Sequence, residues 1–261
     1  MGSPGLENNK TMRVLLLGGT SEASRLAAVL AARGVDAVFS YAGRTDAPIP
    51  QPLPTRVGGF GGVEGLVAYL RAAGITHMVD ATHPFAAGMS RNAVAAAAET
   101  GIPLLALERQ AWQAQPGDLW RPVEDIAQAV ADLPEAPHRV FLAIGRQNIA
   151  AFATRPQHYY LLRMVEAPRS PPPLPDHHII ASRGPFSLEE DLALMRAHRI
   201  SWVVSKNAGG PQAGAKINAA RQLGLPVTMI ARPPIPPRPR AETVDEALAW
   251  LMGDHGARLG V

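Results

Sequence analysis

Short apolar runs alternate along the chain with stretches in which apolar residues recur every three to four positions. The runs read as buried strands and the stretches as amphipathic helices. In the first half the pattern predicts strands over 14–17, 37–41, 55–57, 76–80 and 103–107, with helices over 21–33, 63–73 and 85–100 between them. Gly34, Gly74 and Gly101 stand just beyond those helices, where a left-handed residue ends a helix. From 108 to 138 the pattern turns polar, with Trp- and Pro-containing turns and one amphipathic helix near 124–133. This stretch reads as a linker, a closing element of the first sheet, or both. The alternation then restarts, with strands over 139–144, 159–164, 178–181, 202–205 and 227–231 and helices over 147–154, 188–198, 213–223 and 243–252. Pro-rich loops at 170–175 and 233–239 lack the amides a sheet needs. The alternation predicts an α/β protein with mainly parallel sheets. Two domains follow, 12–135 and 136–261, joined near residue 135.

Charge and composition restrict the function. The 261 residues include 25 basic and 22 acidic side chains, a net charge of +3, without long runs of like charge. Nucleic-acid binders gather basic charge in a stripe or tail, so the balance points away from nucleic acid and leaves an anionic small molecule open. The absence of Cys excludes disulfides, thiolate metal sites and cysteine nucleophiles. No His-x-x-x-His spacing occurs, and His177 and His178 are strand neighbours that face opposite ways, so no metal is expected. No apolar run reaches the ~18 residues of a membrane span. Residues 1–11 lack the apolar core of a signal peptide and read as an expression-tag remnant ahead of a start at Met12. A cytoplasmic protein is expected. Of the basic residues 22 are Arg and 3 are Lys, at positions 10, 206 and 216. With Lys10 in the tag, the other two fall in one short segment.

The most marked local signal is the strand at 14–17 running into Gly18, Gly19, Thr20, Ser21 and Glu22. Glycines there let a phosphate approach the backbone, and a helix start adds amides and the positive end of a dipole. The third glycine of the dinucleotide fingerprint is missing, so a plain capped turn is the competing reading. An NAD site carries Asp or Glu at the end of the second strand. Here stand Ser40, Tyr41, Ala42, Gly43 and Arg44, two hydroxyls and a cation that suit a 2′-phosphate, so NADP is favoured over NAD. Gly59 and Phe60 lie in a Gly-Gly-Phe-Gly-Gly loop that either meets a ligand closely or moves. Asp80, Thr82 and His83 follow the fourth strand, at the edge where open parallel sheets bind ligands. His83 is the catalytic candidate, as donor to substrate, as general acid or as holder of the loop.

The second half has its own strand-end cations. Lys206, Asn207, Gly209 and Gly210 form a turn after one strand, and Lys216 lies on the next helix. Arg146 and Arg183 follow two further strands. Converging cations suit an acidic substrate, since Arg binds carboxylate bidentately.

Together, LLLGGTSEA at 15–23, VDATHPFA at 79–86, SKNAGG at 205–210 with Lys216, and ARP at 231–233 resemble the precorrin-6A reductase family of cobalamin biosynthesis, from about Met12 to Met252. The resemblance implies two Rossmann-like domains with an interdomain cleft, NADP(H) as cofactor held mainly by the first domain, and reduction of one double bond of an anionic tetrapyrrole, precorrin-6A, to precorrin-6B. On that basis Gly18 to Glu22 would hold the pyrophosphate and Ser40 to Arg44 the 2′-phosphate. Thr82 and His83 would lie near the nicotinamide, and Lys206, Asn207, Gly209 and Gly210 would face the macrocycle. The family has a cobalt-free and a cobalt-containing branch, and the cobalt-free substrate is the expectation. Another Rossmann-type NADP reductase and a non-catalytic NADP sensor are the alternatives. A Tyr-x-x-x-Lys pair, expected of short-chain reductases, is absent. Neither membrane nor nucleic acid is an expected partner, and a monomer is compatible with everything above.

Overall fold

The computed structural model describes residues 12–43, 48–168, 170–211 and 213–253. The chain divides into two compact units, the first made of Met1–Arg109 with Pro234–Val261 and the second of Gln110–Pro233. In the first unit, β1 (Arg13–Leu17), α1 (Ser21–Ala32), β2 (Asp36–Tyr41), β3 (Thr55–Val57), α2 (Val63–Ala72), β4 (His77–Asp80), α3 (Ala87–Thr100) and β5 (Leu104–Leu107) alternate as the periodicity predicts. The second unit has β6 (Leu119–Val123), α4 (Ile126–Ala131), β7 (Arg139–Ala143), a 3-10 helix (Arg146–Thr154), β8 (Tyr159–Met164), β9 (His177–Ala181), α5 (Leu188–Ala197), β10 (Trp202–Lys206), α6 (Ala215–Gln222) and β11 (Pro226–Ile230). The chain then returns to the first unit with β12 (Arg240–Ala241) and α7 (Val244–Leu251).

Each unit has one sheet with all pairings parallel. The orders are β12-β5-β4-β1-β2-β3 and β6-β11-β10-β7-β8-β9. Both match the doubly wound 3-2-1-4-5-6 order, with one exchange. β6 follows β5 in sequence but pairs with β11, and β12 follows β11 but pairs with β5. This corrects the expected junction near residue 135. The polar stretch after 108 enters the second sheet instead of closing the first, and the C-terminal helix belongs with residues 12–109. In the second sheet β6 takes an edge, where its mostly exposed residues and Pro122 are tolerated as they would not be in a central strand.

Strands buried on both faces read as continuous apolar runs, and β1 shows how both faces are filled. Val14 and Leu16 pack with Leu26 and Leu30 of α1 and Leu248 and Leu251 of α7. Leu15 and Leu17 pack with Leu66 and Leu70 of α2 and Ala93 and Ala96 of α3. In the second unit Phe141, Leu161, Val203 and Val227 meet Met195 of α5 and Ile217 and Ala220 of α6. On that unit's sheet α4 also packs against β11 and the 3-10 helix. No helix among the described residues is long and apolar enough to cross a membrane.

Candidate active site

The carboxyl ends of β1 and β4 are joined by one side chain. Thr20 caps α1 by accepting from the Ala23 amide at 3.1 Å, and its hydroxyl donates to the Ala81 carbonyl at 2.8 Å. The cap leaves the amides of Ser21 and Glu22 without an acceptor among the described residues, as the start of any helix does. Gly18 is dictated by packing, since a Cβ there would lie 2.0 Å from Cζ of the buried Phe39. Gly19 has φ of +134°, and a Cβ there would meet nothing within 4 Å. The turn therefore opens onto space, with free amides and a twelve-residue helix behind it. A phosphate fits such a turn. The Glu22 carboxylate does not face this space unpaired. It accepts from Arg25 at 3.1 Å and Arg109 at 3.0 Å, and the Ser21 hydroxyl donates to it. What Glu22 offers a ligand is its backbone amide, beside that of Ser21.

At the end of β4, Asp80 is buried. Its Oδ1 accepts from the Thr82 amide at 3.1 Å and the Thr82 hydroxyl at 2.7 Å. Its Oδ2 lies 3.4 Å from the Arg238 guanidinium, which also reaches Glu108 at 3.4 Å. Arg238 belongs to the returning C-terminal segment, so that segment braces the β4 loop as well as extending the sheet. Buried carboxylates persist when paired in this way. The His83 Nδ1 accepts from the Phe85 amide at 3.2 Å. A backbone amide only donates, so the ring hydrogen sits on Nε2. In this arrangement the Nε2 hydrogen is the ring's donor.

At the end of β2, Ser40 is buried and its hydroxyl accepts from Arg56 at 2.8 Å. The Tyr41 hydroxyl donates to the Ile49 carbonyl and accepts from Gln51. Ala42 and Gly43 form the exposed continuation, and Arg44 lies outside the described residues. The Arg56 guanidinium stacks 3.8 Å above the Phe60 ring and donates to the Gly58 and Gly59 carbonyls. Phe60 also packs edge-on against Tyr69. Sequence reading passed over Arg56, one of 22 arginines. Its signal would have been its place in the short strand β3, level with Ser40 in the β2–β3 register.

In the second unit, Lys206 ends β10 and Arg146 begins the 3-10 helix after β7, its neighbour in the sheet. Arg183 follows β9 and pairs with Glu166 at 3.7 Å. Lys216 is the second residue of α6. Its ammonium donates to the Ala213 carbonyl at 2.7 Å and lies 5.0 Å from the Trp112 ring centroid. The Asn207 side chain is engaged on both sides, accepting from the Trp112 amide and donating to the Trp112 carbonyl. Gly209 makes room for Gln110, since a Cβ there would lie 2.0 Å from that residue's carbonyl oxygen. The Gly210 carbonyl accepts from the Trp112 indole at 2.8 Å. Arg232 completes the cluster by donating to the Asn207 and Ala208 carbonyls. The turn is thus built around Trp112 and Arg232, neither of which sequence reading singled out as part of it.

A family model described as precorrin-6x reductase CbiJ/CobK matches residues 13–252. The chain is 59% identical over 245 residues to a precorrin-6A reductase of Rhodobacter capsulatus, covering 94% of this chain and 97% of that protein. It is 43% identical over 242 residues to a precorrin-6A reductase of Mycobacterium tuberculosis, covering 92% and 98%. A cobalt-precorrin-6A reductase of Priestia megaterium is 33% identical over 233 residues, covering 85% and 91%. A solved structure titled CobK precorrin-6A reductase superposes with a TM-score of 0.90 at 58% identity, covering 94% of this chain and 98% of that one.

Proposed function

The chain belongs to the precorrin-6x reductase family, and from that premise we propose that it reduces a double bond of precorrin-6A with NADPH, giving precorrin-6B. The observation that carries the cofactor half is the open turn at the end of β1, where Gly18 and Gly19 deliver the chain to a capped helix whose first amides are unpartnered among the described residues. Amides of Ser21 and Glu22 bind the pyrophosphate there, with Thr20 fixing the turn to β4. Among the described residues no carboxylate stands at the end of β2, and Ser40 is bonded to an arginine instead, which favours NADPH over NADH. The cofactor supplies the hydride. The chain supplies orientation, a surface for an acidic substrate and an environment for the accompanying proton.

Thr82 and His83 sit at the nicotinamide side, with the His83 Nε2 hydrogen as a donor to the substrate. A proton delivered to the reduced carbon pair comes from solvent or through His83. The acetate and propionate groups of the substrate are met by Arg146, Arg183 and Lys206, and by Lys216 beyond its hold on Ala213. The cobalt-free macrocycle is favoured because relatives named precorrin-6A reductase share 43–59% identity, against 33% for one acting on the cobalt form. The test is purified protein with precorrin-6A and either NADPH or NADH, followed by visible absorbance. A spectral change with NADPH and a much slower one with NADH is expected. No change with either nucleotide would overturn the reading.

A further inference from the structure

We propose that Arg56 is the residue that distinguishes NADPH from NADH, by receiving the adenosine 2′-phosphate on the open edge of its guanidinium. This rests on the NADP reading above and assigns the selectivity to a residue outside the Ser40–Arg44 segment. Arg56 ends up beside the cofactor turn for a topological reason. β3 pairs in parallel with β2, Ser40 is level with Arg56 in that register, and β2 lies directly beside β1. The phosphate-binding turn and Arg56 therefore share one sheet edge, two strands apart.

The guanidinium is held but not neutralised. A guanidinium has five N–H donors. Three are used, two on Nη1 toward the Ser40 hydroxyl and the Gly58 carbonyl and one on Nη2 toward the Gly59 carbonyl. Two remain, the Nε hydrogen and one on Nη2, and these form the side-on edge that grips an oxyanion with two parallel bonds. The plane is fixed from below by the Phe60 ring at 3.8 Å, with Tyr69 at 5.2 Å. No carboxylate pairs with Arg56 among the described residues, in contrast to Arg109 and Arg238 of the same unit, which sit on Glu22, Asp80 and Glu108. The neighbouring loop leaves room. A Cβ on Gly58, Gly59, Gly61 or Gly62 would meet nothing within 4 Å. A cation that is oriented on three sides, without an anionic partner among the described residues and edged by open backbone is prepared for an anionic ligand.

A brace for the glycine loop is the competing role, and binding of two probes separates them. Isothermal titration of the full chain with adenosine 2′,5′-bisphosphate and with 5′-AMP reads the 2′-phosphate alone. The native protein is expected to prefer the bisphosphate by roughly 10- to 100-fold, the range of a charge-assisted bidentate contact. In Arg56→Gln that preference falls to about 3-fold or less, with AMP affinity and thermal unfolding unchanged, while Arg56→Lys keeps an intermediate preference. Equal weakening of both ligands in Arg56→Gln would make Arg56 a brace and overturn the assignment. So would a preserved preference in Arg56→Gln that is lost in Arg44→Gln. If the native protein itself shows no preference, the NADP reading fails first and the assignment falls with it.

Discussion

The two units present the same topological position with opposite chemistry. At the end of its first strand, β1, the first unit has Gly18, Gly19 and Thr20, then a twelve-residue α-helix with a side-chain cap. At the end of β7, the strand that holds the place of β1 in its own sheet order, the second unit has Gly145 and Arg146, then a 3-10 helix without a side-chain cap. A 3-10 helix has poorer hydrogen-bond geometry and offers a weaker aligned dipole than a long α-helix. We propose that one position takes a pyrophosphate through backbone amides and the other a carboxylate through a side-chain cation. A shared strand order does not imply a shared ligand, and chemistry has to be read from the turn.

The largest effect is expected in the segment that the first unit receives from the far end of the chain. Leu251 of α7 is 4% exposed and packs in the first unit's core. Leu251→Ala should cost about 2–5 kcal/mol, read as a lower urea midpoint. NADPH binding should be lost at lower urea than the near-ultraviolet signal of Trp202 in the second unit. Simultaneous loss would mean that the two units unfold as one.

Next come the glycines of the turns after β1 and β7. Gly18→Val drives a side chain into Phe39 at 2.0 Å and should cost about 1–3 kcal/mol in stability together with most NADPH-dependent turnover. Gly145→Ala meets nothing within 4 Å but keeps φ near +78°, so roughly 1 kcal/mol of strain is expected, with KM for NADPH unchanged. Steady-state kinetics of both variants checks the pair, and a raised NADPH KM in Gly145→Ala would erase the difference between the turns.

Smaller changes are expected at the second unit's cations. Arg146→Ala and Arg183→Ala should each raise the tetrapyrrole KM roughly 3- to 10-fold, the scale of one partly exposed charged contact, and leave the NADPH KM alone. The reverse pattern would place the nucleotide in the second unit.

The smallest is a pH dependence of stability. His158 is fully buried and accepts from the His138 amide through Nδ1, while its Nε2 has no partner. Burial lowers its pKa, His138 and Arg155 lower it further, and Glu135 opposes them. An unfolded histidine titrates near 6.5, so below that pH the unfolded chain binds the extra proton and stability falls as pH drops toward the lower folded value. His77, half-buried in the first unit, is lowered in the same direction. The urea midpoint should therefore decline between pH 7.5 and 5.5, and decline less in His158→Gln. Identical declines would remove His158 from the explanation.

Most of the strand–helix alternation was legible because buried parallel strands are apolar on both faces and their helices end on glycines. The exchange of β6 and β12 was not. One is an exposed strand with a proline and the other spans Arg240–Ala241, and pairing between distant segments leaves no periodic trace. The β1 turn was legible because the positive φ of Gly19 and the Thr20 cap have local backbone causes, whereas Gly18 answers to the Phe39 ring. The roles of Asn207, Gly209 and Gly210 were only half legible. The motif marked a special turn, but its side chain and close approaches serve Trp112, Gln110 and Arg232, partners far away in sequence. Arg56 was invisible for the same reason, since its meaning comes from register with Ser40.

The division of labour between the units is tested most directly by backbone amide hydrogen exchange on the full chain with and without NADPH. Protection is predicted in residues 18–23, 40–43 and 56–62 of the first unit, with residues 144–150 of the second unchanged. Protection centred on residues 144–150, with the turn after β1 unaffected, would contradict it.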